Sequence, residues 1–144
     1  MVFFITFDLN NHAIRNTDRH LTKVVQAMMN AVQILFKDDN LGHRIELVIK
    51  RLEVLNETPD SLILDQNVEI MLKNFCHWQM EQNSDQDGDQ LHWDHAILLT
   101  GQDLYSVGSN DRKSSKIVGL SPVSGKKLAH QLMIAIRNQN RILQ

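Results

Sequence analysis

Seven histidines and one cysteine, Cys76, are the groups with which this 144-residue chain could do chemistry. Zinc-dependent hydrolysis is the first possibility to test. A helical His-Glu-x-x-His sets two imidazoles one turn apart, with a Glu beside them to take a proton from metal-bound water. His12, His20, His43, His77, His92, His95 and His130 are followed by Ala13, Leu21, Arg44, Trp78, Trp93, Ala96 and Gln131, never by Glu. The nearest approach is Ala129-His130-Gln131-Leu132-Met133-Ile134, with Gln in place of the base and Ile in place of the second ligand. That segment can neither hold zinc in this manner nor activate water.

Other constellations are weaker. His92 and His95 flank Trp93-Asp94, a two-His, one-Asp trio of metal-ligating types. Alternation along a strand turns neighbouring side chains to opposite faces, so convergence on one ion is not expected. Asp85-Gln86-Asp87-Gly88-Asp89 resembles a calcium loop only in part: its glycine falls early, and Ala96 stands where the closing bidentate Glu belongs. Cys76 and His77 are adjacent on a predicted helix and project about 100° apart, which rules out a shared nucleophilic face and favours a buried structural thiol. No Gly-rich phosphate loop or nucleophile elbow occurs. No catalytic residue is assigned.

The elements that must position these groups follow from hydrophobic spacing. Residues 2–7, Val-Phe-Phe-Ile-Thr-Phe, read as a buried strand. A helix follows, with Asn16, Thr17 or Asp18 as cap and Leu21, Val24, Val25, Met28, Val32, Leu35 and Phe36 as its apolar stripe, stopping at Asn40 and Gly42. Residues 44–55 read as a strand whose alternation slips at Lys50-Arg51, predicting a bulge there. Asn56-Glu57-Thr58-Pro59-Asp60 is turn chemistry. A second helix is predicted from Asp65, burying Val68, Met71, Leu72, Phe75 and Trp78. Residues 83–90 are a polar loop, 95–100 a central strand, 101–116 an exposed loop, and 116–123, with Pro122, an edge strand. From Lys126 the spacing of Leu128, Leu132, Ala135, Ile136, Ile142 and Leu143 predicts a third helix. The order predicts an α/β fold with a mixed, mostly parallel sheet and flanking helices.

Charge divides the chain. Residues 126–144 carry Lys126, Lys127, Arg137 and Arg141 and no acid, leaving 1–125 with 11 basic and 17 acidic residues. An acidic body and a tail without interleaved aromatics exclude a nucleic-acid groove. Apolar runs are far shorter than the roughly 20 residues a membrane span needs. The apolar start meets Asp8 at once and lacks a basic leader, which makes a poor signal peptide. The lone Cys76 cannot make an internal disulfide.

Three stretches in register are more specific. They are Asn74-Phe75-Cys76-His77-Trp78-Gln79, then Trp93-Asp94-His95-Ala96-Ile97-Leu98-Leu99-Thr100-Gly101-Gln102-Asp103-Leu104, then Val118-Gly119-Leu120-Ser121-Pro122-Val123-Ser124-Gly125. Together they resemble the metalloprotease domain of the disintegrin and metalloprotease with thrombospondin motifs (ADAMTS) family, of the reprolysin or adamalysin group of metzincins. The resemblance covers roughly residues 8–125. It implies the N-terminal subdomain of a secreted zinc metalloendopeptidase, hence an extracellular setting.

Past Gly125 the sequence departs from the family motifs, which continue into a Cys-containing segment and a zinc-binding helix. The expected organisation is a metzincin-like subdomain at 1–125 and an unrelated basic amphipathic helix at 126–144. The expected outcome is a truncated, catalytically silent chain that has lost its zinc site. Cys76 then reads as half of a family disulfide, unpaired here. Of the family's calcium ligands Asp94 matches one, while Val2 stands where the first acid belongs. In the family a peptide substrate lies antiparallel along an edge strand near the third motif. Val118, Gly119 and Leu120 are therefore the expected substrate-binding residues, with a peptide or protein as ligand. A non-catalytic module that binds a peptide or a protease through that edge or through the basic helix is the alternative.

Overall fold

A computed structural model describes residues 1–8, 18–38, 42–121 and 131–135. Its elements run β1 (Val2–Asp8), α1 (Asp18–Leu35), β2 (Val48–Leu55), α2 (Val68–Met80), β3 (His95–Thr100), β4 (Ser106–Val107), β5 (Lys113–Ser114), β6 (Gly119–Leu120) and β7 (Gln131–Ala135). Five strands form a sheet in the order β2-β1-β3-β7-β6, in which only β6 runs antiparallel to its neighbour. The α/β reading and the mostly parallel sheet are therefore observed.

Period-two alternation along β1 and β3 divides the core between the two sheet faces. Phe3, Ile5, Ile97 and Leu99 pack with Leu21, Val25 and Met29 of α1. Phe4, Ala96 and Leu98 pack with Val68, Met71, Leu72, Phe75, Cys76 and Trp78 of α2. One helix thus covers each face, which is why β1 and β3 read as continuous apolar runs. Phe4 and Phe75 are fully buried, each worth roughly 1.5–3 kcal/mol of apolar burial.

Local chemistry fixes the ends. Asn67, extended, caps α2 by accepting from the Glu69 amide at 3.0 Å, and Asp65 accepts from the Asn67 amide at 2.6 Å. The helix therefore begins after Asp65, once that turn is closed. The strand predicted from residue 44 begins at Val48. Residues 44–47 have no strand of β1 beside them, and the side chain of Gln33 stands in for one. It donates to the Ile45 carbonyl at 2.8 Å and accepts from the Leu47 amide at 2.6 Å. The phase slip has its physical form: Phe3 pairs with Ile49 and Phe4 with Arg51, which leaves Lys50 as the bulged residue. The stretch 101–116, expected as an exposed loop, contains a short antiparallel hairpin, β4 with β5. Its turn sets Asp111 at φ 54, and the Lys113 ammonium lies 4.4 Å from the Tyr105 ring centroid.

The tail requires a correction. Of the helix expected over 126–144, the described part, β7, is a strand parallel to β3 and antiparallel to β6. Five successive residues, Gln131-Leu132-Met133-Ile134-Ala135, satisfy the edge that β3 would otherwise leave unpaired, a requirement that side-chain spacing does not display. This segment belongs to the sheet, and through it β6 is joined to the rest. Residues 122–130 and 136–144 lie outside the described residues, as do the expected caps Asn16 and Thr17 and the expected stop residue Asn40.

Candidate functional site

Among the described residues β6 ends the sheet on the side away from β2. Gly119 pairs with Ile134 and Leu120 with Met133. Val118 is three-quarters exposed, while Leu120 and Ile117 pack against the α2-side core. Ile117 and Leu120 thus tie the segment to the core while β6 stays at the rim of the described sheet, the arrangement from which an extended peptide can be added by main-chain pairing. Residues 131–135 lie inside the sheet, between β3 and β6, rather than along the outer rim of β6.

The register extends the calcium question. Phe3 pairs with His95, which sets residue 2 level with Asp94. That residue is Val, with no side-chain oxygen to offer a hard cation. Asp94 instead has its Oδ1 3.6 Å from His92 Nε2, which is equally far from Asp87 Oδ1. His92 Nδ1 lies 2.7 Å from the Ser84 carbonyl. His95 turns elsewhere, its ring stacked on Phe3 at 5.3 Å. The trio of His92, Asp94 and His95 does not converge.

The acidic loop is ordered by its own groups and by the bulge. Asp89 accepts from the Leu91 amide and the Ser84 hydroxyl, each at 2.9 Å, and these bonds hold its carboxyl below the usual range. Lys50 Nζ donates to the carbonyls of Asp89 and His92, both at 2.8 Å. The Lys50 ammonium thus holds both of these loop carbonyls. Among the described residues no group of three or more His, Cys, Asp or Glu is arranged to hold a metal. With no His-Glu-x-x-His in the sequence, these residues do not fit a catalytic zinc.

Cys76 is buried on the α2 core face, while His77 is exposed on the other. Burial pushes the thiol up to about 11, so it is a neutral core group near pH 7. The neighbouring Gln79, also buried, accepts from the Trp93 indole N–H at 2.8 Å. Asn83 grips the Trp93 backbone from both sides, donating to its carbonyl at 2.9 Å and accepting from its amide at 3.0 Å. Trp93 in turn packs 4.6 Å from Phe4. The first two sequence motifs are therefore one physical unit. The sequence reading missed Lys50, Gln79 and Asn83. The phase slip was the available signal for Lys50, and a Gln on a buried helical stripe was the signal for Gln79.

Residues 3–136 match the Reprolysin (M12B) family of zinc metalloproteases. The match runs past Gly125 into β7, beyond the expected boundary of the family-like part. The chain is 39% identical over 101 residues, 70% of its length, to "A disintegrin and metalloproteinase with thrombospondin motifs 7" of Mus musculus, covering 6% of that protein. It is 36% identical over 107 residues to the Homo sapiens protein of the same name, 74% of this chain and 6% of that one. It is 32% identical over 117 residues to "A disintegrin and metalloproteinase with thrombospondin motifs 16" of Homo sapiens, 81% of this chain and 9% of that one. The chain spans less than a tenth of the length of these relatives.

Proposed function

Because the chain belongs to the reprolysin (M12B) zinc metalloprotease family, we propose that it supplies the substrate-side sheet of an extracellular metalloendopeptidase fold. As a 144-residue polypeptide it is catalytically silent. The observation that carries this is the pairing of a family match over residues 3–136 with a sequence in which no histidine is followed by Glu. Hydrolysis needs a metal-bound water and a base to deprotonate it, and this polypeptide has neither in the family's form. What it retains is β6, whose rim at Val118, Gly119 and Leu120 takes an extended peptide by strand addition. Main-chain pairing supplies the affinity and the exposed Val118 a small part of the selectivity. Calcium is not proposed as a resident ion: Asp94 alone of the expected strand ligands brings an oxygen.

A second reading, a non-catalytic module that captures a peptide or a protease, draws on the same observation of β6 at the rim. The alternative route through a basic C-terminal helix is withdrawn, since residues 131–135 are strand. Peptide capture is tested by fluorescence anisotropy of a labelled extended-peptide library on the whole chain. Saturable binding, weakened at least tenfold by Gly119→Pro, is expected. Unchanged binding in that variant contradicts the use of β6.

A further inference from the structure

The bend after β2 reads Asn56-Glu57-Thr58. An Asn amide with a hydroxyl residue two positions on, and no Pro between, is the acceptor pattern for N-linked oligosaccharide. Of the chain's asparagines only Asn56 stands in this pattern. Pattern alone is common by chance, so placement decides. Asn56 and Glu57 are exposed in a bend one residue past Leu55, the last β2 residue paired to β1. The amide of Leu62 donates to the Pro59 carbonyl at 2.9 Å and closes the next turn. Asn56 and Glu57 are therefore presented to solvent between the end of a strand and a separate turn. Among the described residues β2 is itself a rim strand, eight residues long, with β1 as its one neighbour in the sheet. Long rim strands are open to pairing with other chains unless something covers them.

We propose that Asn56 is an N-glycan acceptor whose glycan shields the β2 rim. This rests on the extracellular reading above, because the membrane-bound transferase and its lipid-diphosphate-linked oligosaccharide donor act in the secretory lumen. The Asn56 side-chain nitrogen attacks the anomeric carbon of the first sugar and forms the N–C bond. The C–O bond to the diphosphate breaks, the lipid diphosphate leaves with the electron pair, and the amide nitrogen gives one proton to a base of the transferase. β6 lies four strand spacings away, roughly 19 Å, so the glycan covers one rim of the sheet and leaves the peptide-binding rim open.

The test expresses the full chain behind a heterologous cleavable secretion leader in cultured animal cells. Enzymatic removal of N-glycans in heavy-oxygen water is followed by mass spectrometry of the Asn56 peptide, from medium and from cells. The expected result is a one-glycan mass shift that collapses on treatment and leaves labelled Asp at position 56. Asn56→Gln and Thr58→Ala abolish the shift. Unlabelled Asn56 in both retained and secreted wild-type chain overturns the proposal, even if Pro59→Ala is occupied. Removing the sugar from the folded protein is expected to shift it towards larger species in size-exclusion chromatography, and an unchanged profile overturns the shielding role. Because the leader is supplied, a negative result bears on Asn56 alone. The catalytically silent reading is tested separately, by the peptidase assay.

Discussion

Replacing Gln79 by Leu tests the idea that the first two motifs form one unit. Gln79 and Trp93 are each 2% exposed, and the indole N–H donates to Gln79 Oε1 at 2.8 Å. Leu keeps the volume and removes the acceptor. The variant loses a hydrogen bond worth about 1 kcal/mol and leaves a buried N–H unpaired, a further ~1–3, for a total of about 2–4 kcal/mol. For a domain of this size that lowers Tm by roughly 6–16 °C. Trp93→Phe removes the donor but also leaves space beside Phe4, so it destabilises by itself. The informative quantity is the double variant. With both partners gone no polar group is stranded, and the loss should be smaller than the sum of the single losses by about 1–2 kcal/mol. Urea unfolding followed by far-UV circular dichroism measures all four corners of the cycle. Additivity of the two single losses within about 0.5 kcal/mol would refute the reasoning.

Lys50→Met removes two charge-assisted hydrogen bonds to the 83–92 loop and is expected to speed amide exchange of residues 84–92 with little change in the α2 core. Unchanged exchange there contradicts the anchoring role. Asp89 has its carboxyl lowered by the Leu91 amide first and the Ser84 hydroxyl second. The order it gives the loop is therefore complete above the ordinary Asp value of 3.8 and lost as pH falls through its lower folded value. The protection of the loop amides, taken relative to their intrinsic exchange rates, should fall on acidification in the parent and be independent of pH in Asp89→Asn. Cys76 should react with an aromatic disulfide reagent only at the rate of unfolding. Its thiol is raised from 9.0 to about 11, so its stabilising contribution is present below pH 9 and lost as pH rises towards 11. Rapid labelling of the folded chain at pH 8 would contradict its placement. Met133→Pro, which removes a backbone donor from a strand with neighbours on both sides, should lower Tm by several degrees. An unchanged Tm would show that β7 is dispensable.

The central β-α-β-α-β order was legible because each element has a single strong period. β1 and β3 are short apolar runs, and α1 and α2 carry stripes every three or four residues. The Lys50 bulge was legible as a slip in alternation, since one extra residue inverts every later side chain. The start of β2 was misjudged because Ile45 and Leu47 bond to the Gln33 side chain, a long-range substitute with no local sequence mark. β7 was read as helix because Leu128, Leu132, Ala135 and Ile136 suit either structure, and only the unpaired edge of β3 decides between them. The convergence of His92 with Asp87 and Asp94, and of Gln79 with Trp93, joins residues separated by loops. Neither contact has a spacing rule. The β6 rim was placed by resemblance and by the demotion that Pro122 imposes, and the position of Gly119–Leu120 at the end of the sheet agrees with it.

The most direct test of the account is hydrolysis of a broad quenched-fluorescent peptide library by the purified 144-residue chain, reconstituted with zinc and freed of loosely bound metal, with and without chelator. The account predicts no chelator-sensitive cleavage and substoichiometric zinc. Cleavage that the chelator abolishes, from protein carrying one zinc per chain, would contradict it.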